Sequence, residues 1–224
     1  MLLGLSGFSE NKDGQRGAAG AGKDAVARIL HKDFGFVCIS FADPIKRVLK
    51  DIFKFPDERL WGSSKMRSLP DKRYPRDSKE CPHLTVRYGL TRVGDAFRDC
   101  YQDIVVDYAI LMAQEILDGL PFGCHEYDPK VGVHKHSILA DRKGVVITDC
   151  RYPSEVEGVR KAGGKVVRIK RKAENLTGAA AQHSSELSLM NTSDDVFDYV
   201  IDNNGDLDDL DGLVASMMGA LGWG

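Results

Sequence analysis

Gly17–Asp24 reads G-A-A-G-A-G-K-D, which fits G-x-x-x-x-G-K followed by an acid. Glycines at 17, 20 and 22 let backbone N–H groups turn inward and approach phosphate oxygens closely. A helix that starts after them points its positive end at the same oxygens. Lys23 adds a point charge that reaches the β- and γ-phosphates of a nucleotide. The residue after the lysine is Asp24, where a hydroxyl that meets Mg²⁺ is usual. A carboxylate is a hard oxygen ligand and suits the same metal, directly or through water. The bland alternative is a Gly/Ala-rich linker that carries a lysine.

The flanks favour the phosphate reading. Met1–Gly7 (M-L-L-G-L-S-G) reads as a short buried strand, and Val26, Ile29 and Leu30 fall at helical spacing after Asp24. Phe8–Arg16 (F-S-E-N-K-D-G-Q-R) separates the two. It reads as a polar insertion expected to loop out, at little entropic cost.

At 224 residues and a net charge of −2, the chain has room for one α/β domain and no general attraction for nucleic-acid polymers. Cys38, Cys81, Cys100, Cys124 and Cys150 are odd in number and lack C-x-x-C spacing, so they read as reduced thiols of a cytoplasmic protein. Met1–Phe8 has no basic region before it and does not read as a signal peptide. No apolar run approaches the length of a membrane span.

Further along, Phe36–Phe41 reads as a strand, and Asp43 and Pro44 as the N-cap and first position of a helix. On that helix Lys46 lies off the apolar stripe, either on a solvated face or facing an anionic acceptor. Residues 55–83 and 120–143 read as irregular, the first from its prolines and charges. The second contains Cys124, His125, His134 and His136 at no zinc spacing, and a surface loop is the favoured reading. Thr85 caps a helix that carries Arg87, Arg92 and Arg98, and Asp103 starts another. Gly144–Asp149 reads as a buried parallel strand that ends in Asp149-Cys150-Arg151, where functional groups of open α/β sheets gather; a structural ion pair is the alternative. Lys165–Ile169 and Phe197–Ile201 are the remaining strands. Between them Lys170–Ser193 is a long connection, and Lys170, Arg171 and Lys172 are its candidate cations for a lid over phosphates. Asp206 caps a last helix whose apolar stripe favours a core role and leaves a homodimer face open.

Assembled in order, these segments resemble the phage deoxynucleoside monophosphate kinases. The carrying motifs are G-K-D at Gly22–Asp24, F-A-D-P-I-K-R-V-L at Phe41–Leu49 and L-W-G-S-S-K-M-R at Leu60–Arg67. They continue with L-T-V-R-Y-G-L at Leu84–Leu90, V-D-Y-A-I at Val106–Ile110 and D-C-R-Y-P-S-E at Asp149–Glu155. L-T-G-A-A-A-Q-H-S-S-E at Leu176–Glu186 and the late D-N-N-G-D complete the set. The chain departs from the pattern at Ala25, where a threonine is frequent, and at Val105, where a tryptophan is common.

The resemblance implies an α/β protein of the P-loop NTPase-type three-layer fold, with a parallel sheet and helical or irregular acceptor and lid insertions. It implies a single kinase domain over 1–224, with an acceptor-side region at 55–143 and a lid-like connection at 170–193. The implied reaction moves the γ-phosphoryl of ATP to a deoxynucleoside 5′-monophosphate, with Mg²⁺, in the cytoplasm (of the host, if phage-encoded). Gly17, Ala18, Ala19, Gly20, Ala21, Gly22, Lys23, Asp24 and Ala25 would hold ATP, with Asp24 on the metal and Arg171 in the lid. Arg87, Gly94, Arg98, Asp149, Arg151 and Glu155 would surround the acceptor, joined by Lys46. Lys23, Arg98 and Arg151 would act on the transferred group. The residues alone leave open a P-loop kinase of another small phosphorylated acceptor, of the dephospho-coenzyme A or phosphomevalonate type, or a non-catalytic nucleotide-binding protein.

Overall fold

The amino-terminal apolar run becomes the central strand of a parallel sheet. The protein is seen here as a computed structural model that describes residues 1–14, 16–17, 20–120, 122–128, 132–138, 143–172 and 188–223, with backbone alone for 122–128, 134–138 and 207. In chain order the elements begin with β1 (Leu2–Glu10), β2 (Arg16–Gly17), α1 (Lys23–Phe34), β3 (Phe36–Ile39) and α2 (Asp43–Phe53). Next come α3 (Asp57–Leu60), α4 (Ser64–Arg67), β4 (Pro70–Pro75), β5 (His83–Thr85), α5 (Val86–Cys100) and α6 (Ile104–Leu117). They end with β6 (Phe122–Asp128), β7 (Gly132–Ile138), β8 (Gly144–Cys150), α7 (Pro153–Lys161), β9 (Lys165–Lys172), β10 (Tyr199–Asp202) and α8 (Leu207–Ala220). The chain divides into two units: Met1–Phe41, Ala109–Leu120 and Ala140–Gly224 form the first, Ala42–Tyr108 and Pro121–Leu139 the second. No helix among the described residues is long and apolar enough to cross a membrane.

In the first unit the strand order is β10-β9-β1-β8-β3, with all four pairings parallel. Leu3 and Leu5 of β1, Val146 of β8 and Val167 and Ile169 of β9 are fully buried, as strands covered on both faces must be. They share one core with Val26 and Leu30 of α1 and with Leu210, Val214, Met217 and Met218 of α8. The stripe on the last helix is therefore spent on the core. Asp206 caps that helix, accepting from the Asp209 N–H at 2.9 Å, as its position predicts. The chain passes from β1 to the β8–β3 side, then crosses to β9 and β10. The order reverses at β1, and ligands of such sheets bind outside the carboxyl ends of the strands at that point.

The segment 8–16 is not a bare loop. β1 runs on to Glu10, pairing Phe8, Ser9 and Glu10 with Lys170, Arg171 and Lys172 of β9. The chain then returns as β2, antiparallel to β1, with Ser9 opposite Gly17. Backbone ladders are indifferent to side-chain polarity, so polar residues at 8–10 extend the strand. Arg16 closes the hairpin with a 2.9 Å ion pair to Glu10.

The second unit corrects both irregular stretches. Leu49, Phe55, Leu60, Trp61, Leu84 and Val86 form its core, so residues 55–85 are folded around buried anchors. The prolines that suggested a loop bound an edge strand: Pro70 and Pro75 are the ends of β4, which pairs only with β5 among the described residues. β6 and β7 form a hairpin in the register Phe122↔Ile138 to Asp128↔Gly132, and Val133 packs on the same core. Backbone register sets Cys124 opposite His136 and Glu126 opposite His134. Thr85 caps α5 as expected, accepting from the Tyr88 N–H at 3.1 Å. Asp43 is not an N-cap; that position falls to Ala42, and Asp43 opens the helix itself.

Asp71 is the one buried carboxylate of β4. Arg73 donates to it at 2.7 and 3.0 Å and holds its carboxyl down at about 2; the more distant Arg59 assists. A depressed folded value stabilises the protein above the unfolded value, about 3.9, and that contribution disappears as pH falls through about 2. Asp71→Asn is thus expected to melt at a lower temperature than wild type at pH 7, with the gap closing between pH 4 and pH 2. Parallel melting curves across that range would exclude the ion pair as a source of stability.

Candidate functional site

Where β1 and β2 hand over to α1, Gly20 and Gly22 take φ of +78° and +97°, a region open to glycine. A Cβ at Gly22 would also lie 2.2 Å from the Asn203 amide nitrogen. That amide donates to the Ala21 carbonyl at 2.9 Å, and the Asn203 N–H bonds the Lys170 carbonyl at 2.8 Å. The end of β10 thus clamps the turn in front of α1. Gly17 is paired with Ser9 in β2, ahead of this turn; Ala18 and Ala19 lie outside the described residues.

Lys23 is the first residue of α1 and is 9 % exposed. A cation in the first turn opposes the helix dipole, so this site gives up helix stability to keep a positive charge there. Cys150, at the end of β8, senses that charge. Burial, then Glu155 and Asp149, push its thiol well above the ordinary value, and Lys23 works against them. Asp24 follows in the first turn, exposed, and Gly22 holds the N-cap position without a side-chain cap. Beside this turn is a cavity of about 470 Å³ lined by Gly22, Ala25, Arg171, Asn203, Gly205 and Asp206, among others. Arg171 is exposed at its wall. Its neighbour Lys170 is used elsewhere, in a 2.8 Å ion pair with Asp194.

At the end of β8 the acids have structural partners. Asp149 accepts from the Ser40 hydroxyl at 2.7 Å and from the Phe41 N–H at 2.8 Å, one on each oxygen. It holds the end of β3 and the residues after it. Glu155 is buried and accepts from the Arg151 and Tyr152 N–H groups at 2.6 and 3.0 Å, which closes the start of α7. Arg151 is half-buried beside it.

The second unit holds the other predicted residues. Lys46 is 8 % exposed, which removes it from a solvated face. Its ammonium lies 3.0 Å from Asp43 and 5.8 Å from the Trp61 ring centre, and the Trp61 N–H donates to the same Asp43 oxygen at 3.0 Å. Arg87 reaches the hydroxyls of Ser64 and Ser68, fastening α4 to α5. Gly94 lets α5 approach α2: a Cβ there would lie 3.1 Å from Ile45, and 3.3 Å from the Arg98 guanidinium one turn on. The residues that sequence reasoning missed are Ser40 and Asn203, whose roles rest on partners far along the chain. The D-N-N-G-D motif was the available signal for Asn203. Among the described residues no three His, Cys, Asp or Glu side chains converge as a metal site.

A mainly parallel α/β sheet, with a glycine turn and a lysine-headed helix at its switch point, is compatible with a P-loop kinase fold. The chain is 28 % identical over 193 residues to a protein of Acanthamoeba polyphaga mimivirus named "Putative deoxynucleotide monophosphate kinase", covering 85 % of this chain and 87 % of that one. No family model matches the chain.

Proposed function

We propose that this protein transfers the γ-phosphoryl of ATP to a deoxynucleoside 5′-monophosphate, giving the diphosphate and ADP. The observation that carries the reading is the buried Lys23 at the head of α1, with positive-φ glycines before it and a cavity of about 470 Å³ alongside. The mimivirus relative's name supports the acceptor class. In this reading the turn at Gly20–Gly22 and the N–H groups of α1 receive the phosphate chain, and Lys23 balances its charge. Arg171 covers the nucleotide from the cavity wall. Arg98 and Arg151 bind the acceptor phosphate or the group in transfer, where a planar fork serves better than an ammonium. Phosphoryl transfer asks for position and charge neutralisation more than covalent chemistry, which this set of cations can supply.

Mg²⁺ fits the donor set. It keeps several waters and takes one or two carboxylates plus substrate phosphates, so no three-residue cluster is required. Asp24 is an exposed carboxylate in the first turn of α1, whereas both oxygens of Asp149 are engaged. Bound there, the metal would neutralise charge on the phosphate oxygens. Asp24→Asn keeps the polar side chain and removes the charge. It is expected to raise the Mg²⁺ concentration for half-maximal rate and to lower kcat, with an unchanged melting temperature. An unaltered Mg²⁺ titration would reduce Asp24 to a helix-start acid.

The reaction itself is tested by acceptor-dependent ADP release over a panel of deoxynucleoside and nucleoside monophosphates, dephospho-coenzyme A and phosphomevalonate. Release with the deoxynucleotides is expected. ATP binding with no acceptor-dependent release would overturn the kinase reading, and release with another acceptor would change the substrate.

A further inference from the structure

The phosphoryl-transfer reading leaves Cys124, His134 and His136 without a role, and all three lie on the β6–β7 hairpin. Its register pairs Cys124 with His136, Glu126 with His134 and Asp128 with Gly132. Alternate residues of a strand share a face, so Cys124, Glu126, His134 and His136 fall on one face as two successive cross-strand pairs. His125, Tyr127, Val133 and Lys135 fall on the other. Val133 packs against the core of the second unit, which makes that other face the core side of the hairpin. In linear sequence the set reads C-x-E and, well downstream, H-x-H, which is no finger spacing. Strand pairing alone brings the four together.

Opposed residues of an antiparallel pair have Cβ atoms about 5 Å apart, and successive residues on one face of a strand are about 7 Å apart. Ligand atoms around a tetrahedral Zn²⁺, at about 2.1 Å for imidazole and about 2.3 Å for thiolate, are roughly 3.5 Å from one another. Residues as long as His, Cys and Glu span that difference, so four such positions in a rectangle are a workable frame. One thiol, two imidazoles and a carboxyl make a donor set for zinc-class ions, whereas Mg²⁺ prefers oxygen alone. The hairpin is also a place where a metal has an effect. β6 and β7 pair only with each other among the described residues, and a two-stranded hairpin is marginal by itself. An ion that joins its strands adds binding free energy to folding.

We propose that this face of the β6–β7 hairpin is a structural zinc-class site, with Cys124, Glu126, His134 and His136 as its ligands. Four protein ligands complete a tetrahedral shell, so the ion holds the strands and takes no part in chemistry. The site is independent of the proposed reaction and of its Mg²⁺.

The test strips untagged full-length protein with EDTA and titrates it with Co²⁺, then with Zn²⁺. Equimolar Co²⁺ is expected to produce the visible bands of tetrahedral cobalt and a near-ultraviolet thiolate charge-transfer band, and equimolar Zn²⁺ to remove both. Cys124→Ser is expected to abolish the charge-transfer band. His134→Gln and His136→Gln, which retain polarity and approximate size, are expected to weaken Zn²⁺ binding roughly 100-fold each. His125→Gln, on the opposite face, is expected to bind as wild type does. Far-UV circular dichroism of the metal-free variants checks that each is folded, and the wild-type spectrum stands without them. No thiolate band in wild type, a band that survives Cys124→Ser, or a loss in His125→Gln equal to that in His134→Gln would overturn the site.

Discussion

Lys23→Ala is expected to lower the phosphoryl-transfer rate about 100-fold or more while leaving a folded protein. The rate estimate follows from removing one preorganised charge from a developing phosphoryl group, roughly 3 kcal/mol or more of barrier. The fold is expected to survive because Lys23 opens α1, where a cation opposes the helix dipole, and because Val26, Ala27 and Leu30 carry that helix's burial. The two effects separate in experiment. Steady-state ADP release reads the first, and a thermal melt with far-UV circular dichroism reads the second. Wild-type turnover in a folded Lys23→Ala protein would remove the lysine from the chemistry, and with it the observation on which the proposed function stands.

Arg168→Ala is expected to have the largest effect on stability. Arg168 lies on β9 and is 2 % exposed, a burial that a cation tolerates only with partners. Its guanidinium donates to the carbonyls of Thr192 and Leu189, each at 2.7 Å, and to Asp194 at 2.9 Å. The Phe197 ring centre is 4.0 Å from its central carbon. Asp194 is 44 % exposed, so the ion pair itself contributes little. The larger loss is the Thr192 carbonyl deprived of this donor and the Leu189 carbonyl left to the Thr192 N–H, with the packing of the long side chain. About 3 kcal/mol is expected, which lowers the melting temperature by roughly 10 °C in a chain of this size. Arg168→Lys keeps the charge but not the fork and is expected to fall between. A melting temperature within about 2 °C of wild type for Arg168→Ala would mean that the 189–194 segment is held by other contacts.

The same two residues mark how far the chain could be read. Lys23 announces itself because its glycines and helix are local, within a few residues of sequence. Arg168 sits in the apolar run K-V-V-R-I, and its partners come 21 to 26 residues later. Nothing near it in sequence says that the cation is buried. Asp149 lies between these cases. Its place at a strand end was legible, whereas Ser40 and Phe41, its partners, are 109 and 108 positions away. Arg47 and Tyr108 meet across 61 positions and were not singled out at all.

Sequence by itself determined the parallel strands, the principal helices and the glycine turn with its lysine. Those depend on apolar periodicity, on cap residues and on the backbone freedom of glycine, all of which act over a few residues. Tertiary structure alone decided three things. The polar strand end at Phe8–Glu10 exists because β9 and β2 supply backbone partners on either side. The prolines at 70 and 75 bound a strand because only one edge of it is paired among the described residues, and its Tyr74 packs against the core that holds Leu84 and Trp61. The acids at the end of β8 hold backbone N–H groups because folding brings those donors to them. In each case the deciding term is a hydrogen bond or a buried contact between distant residues, which local spacing does not encode.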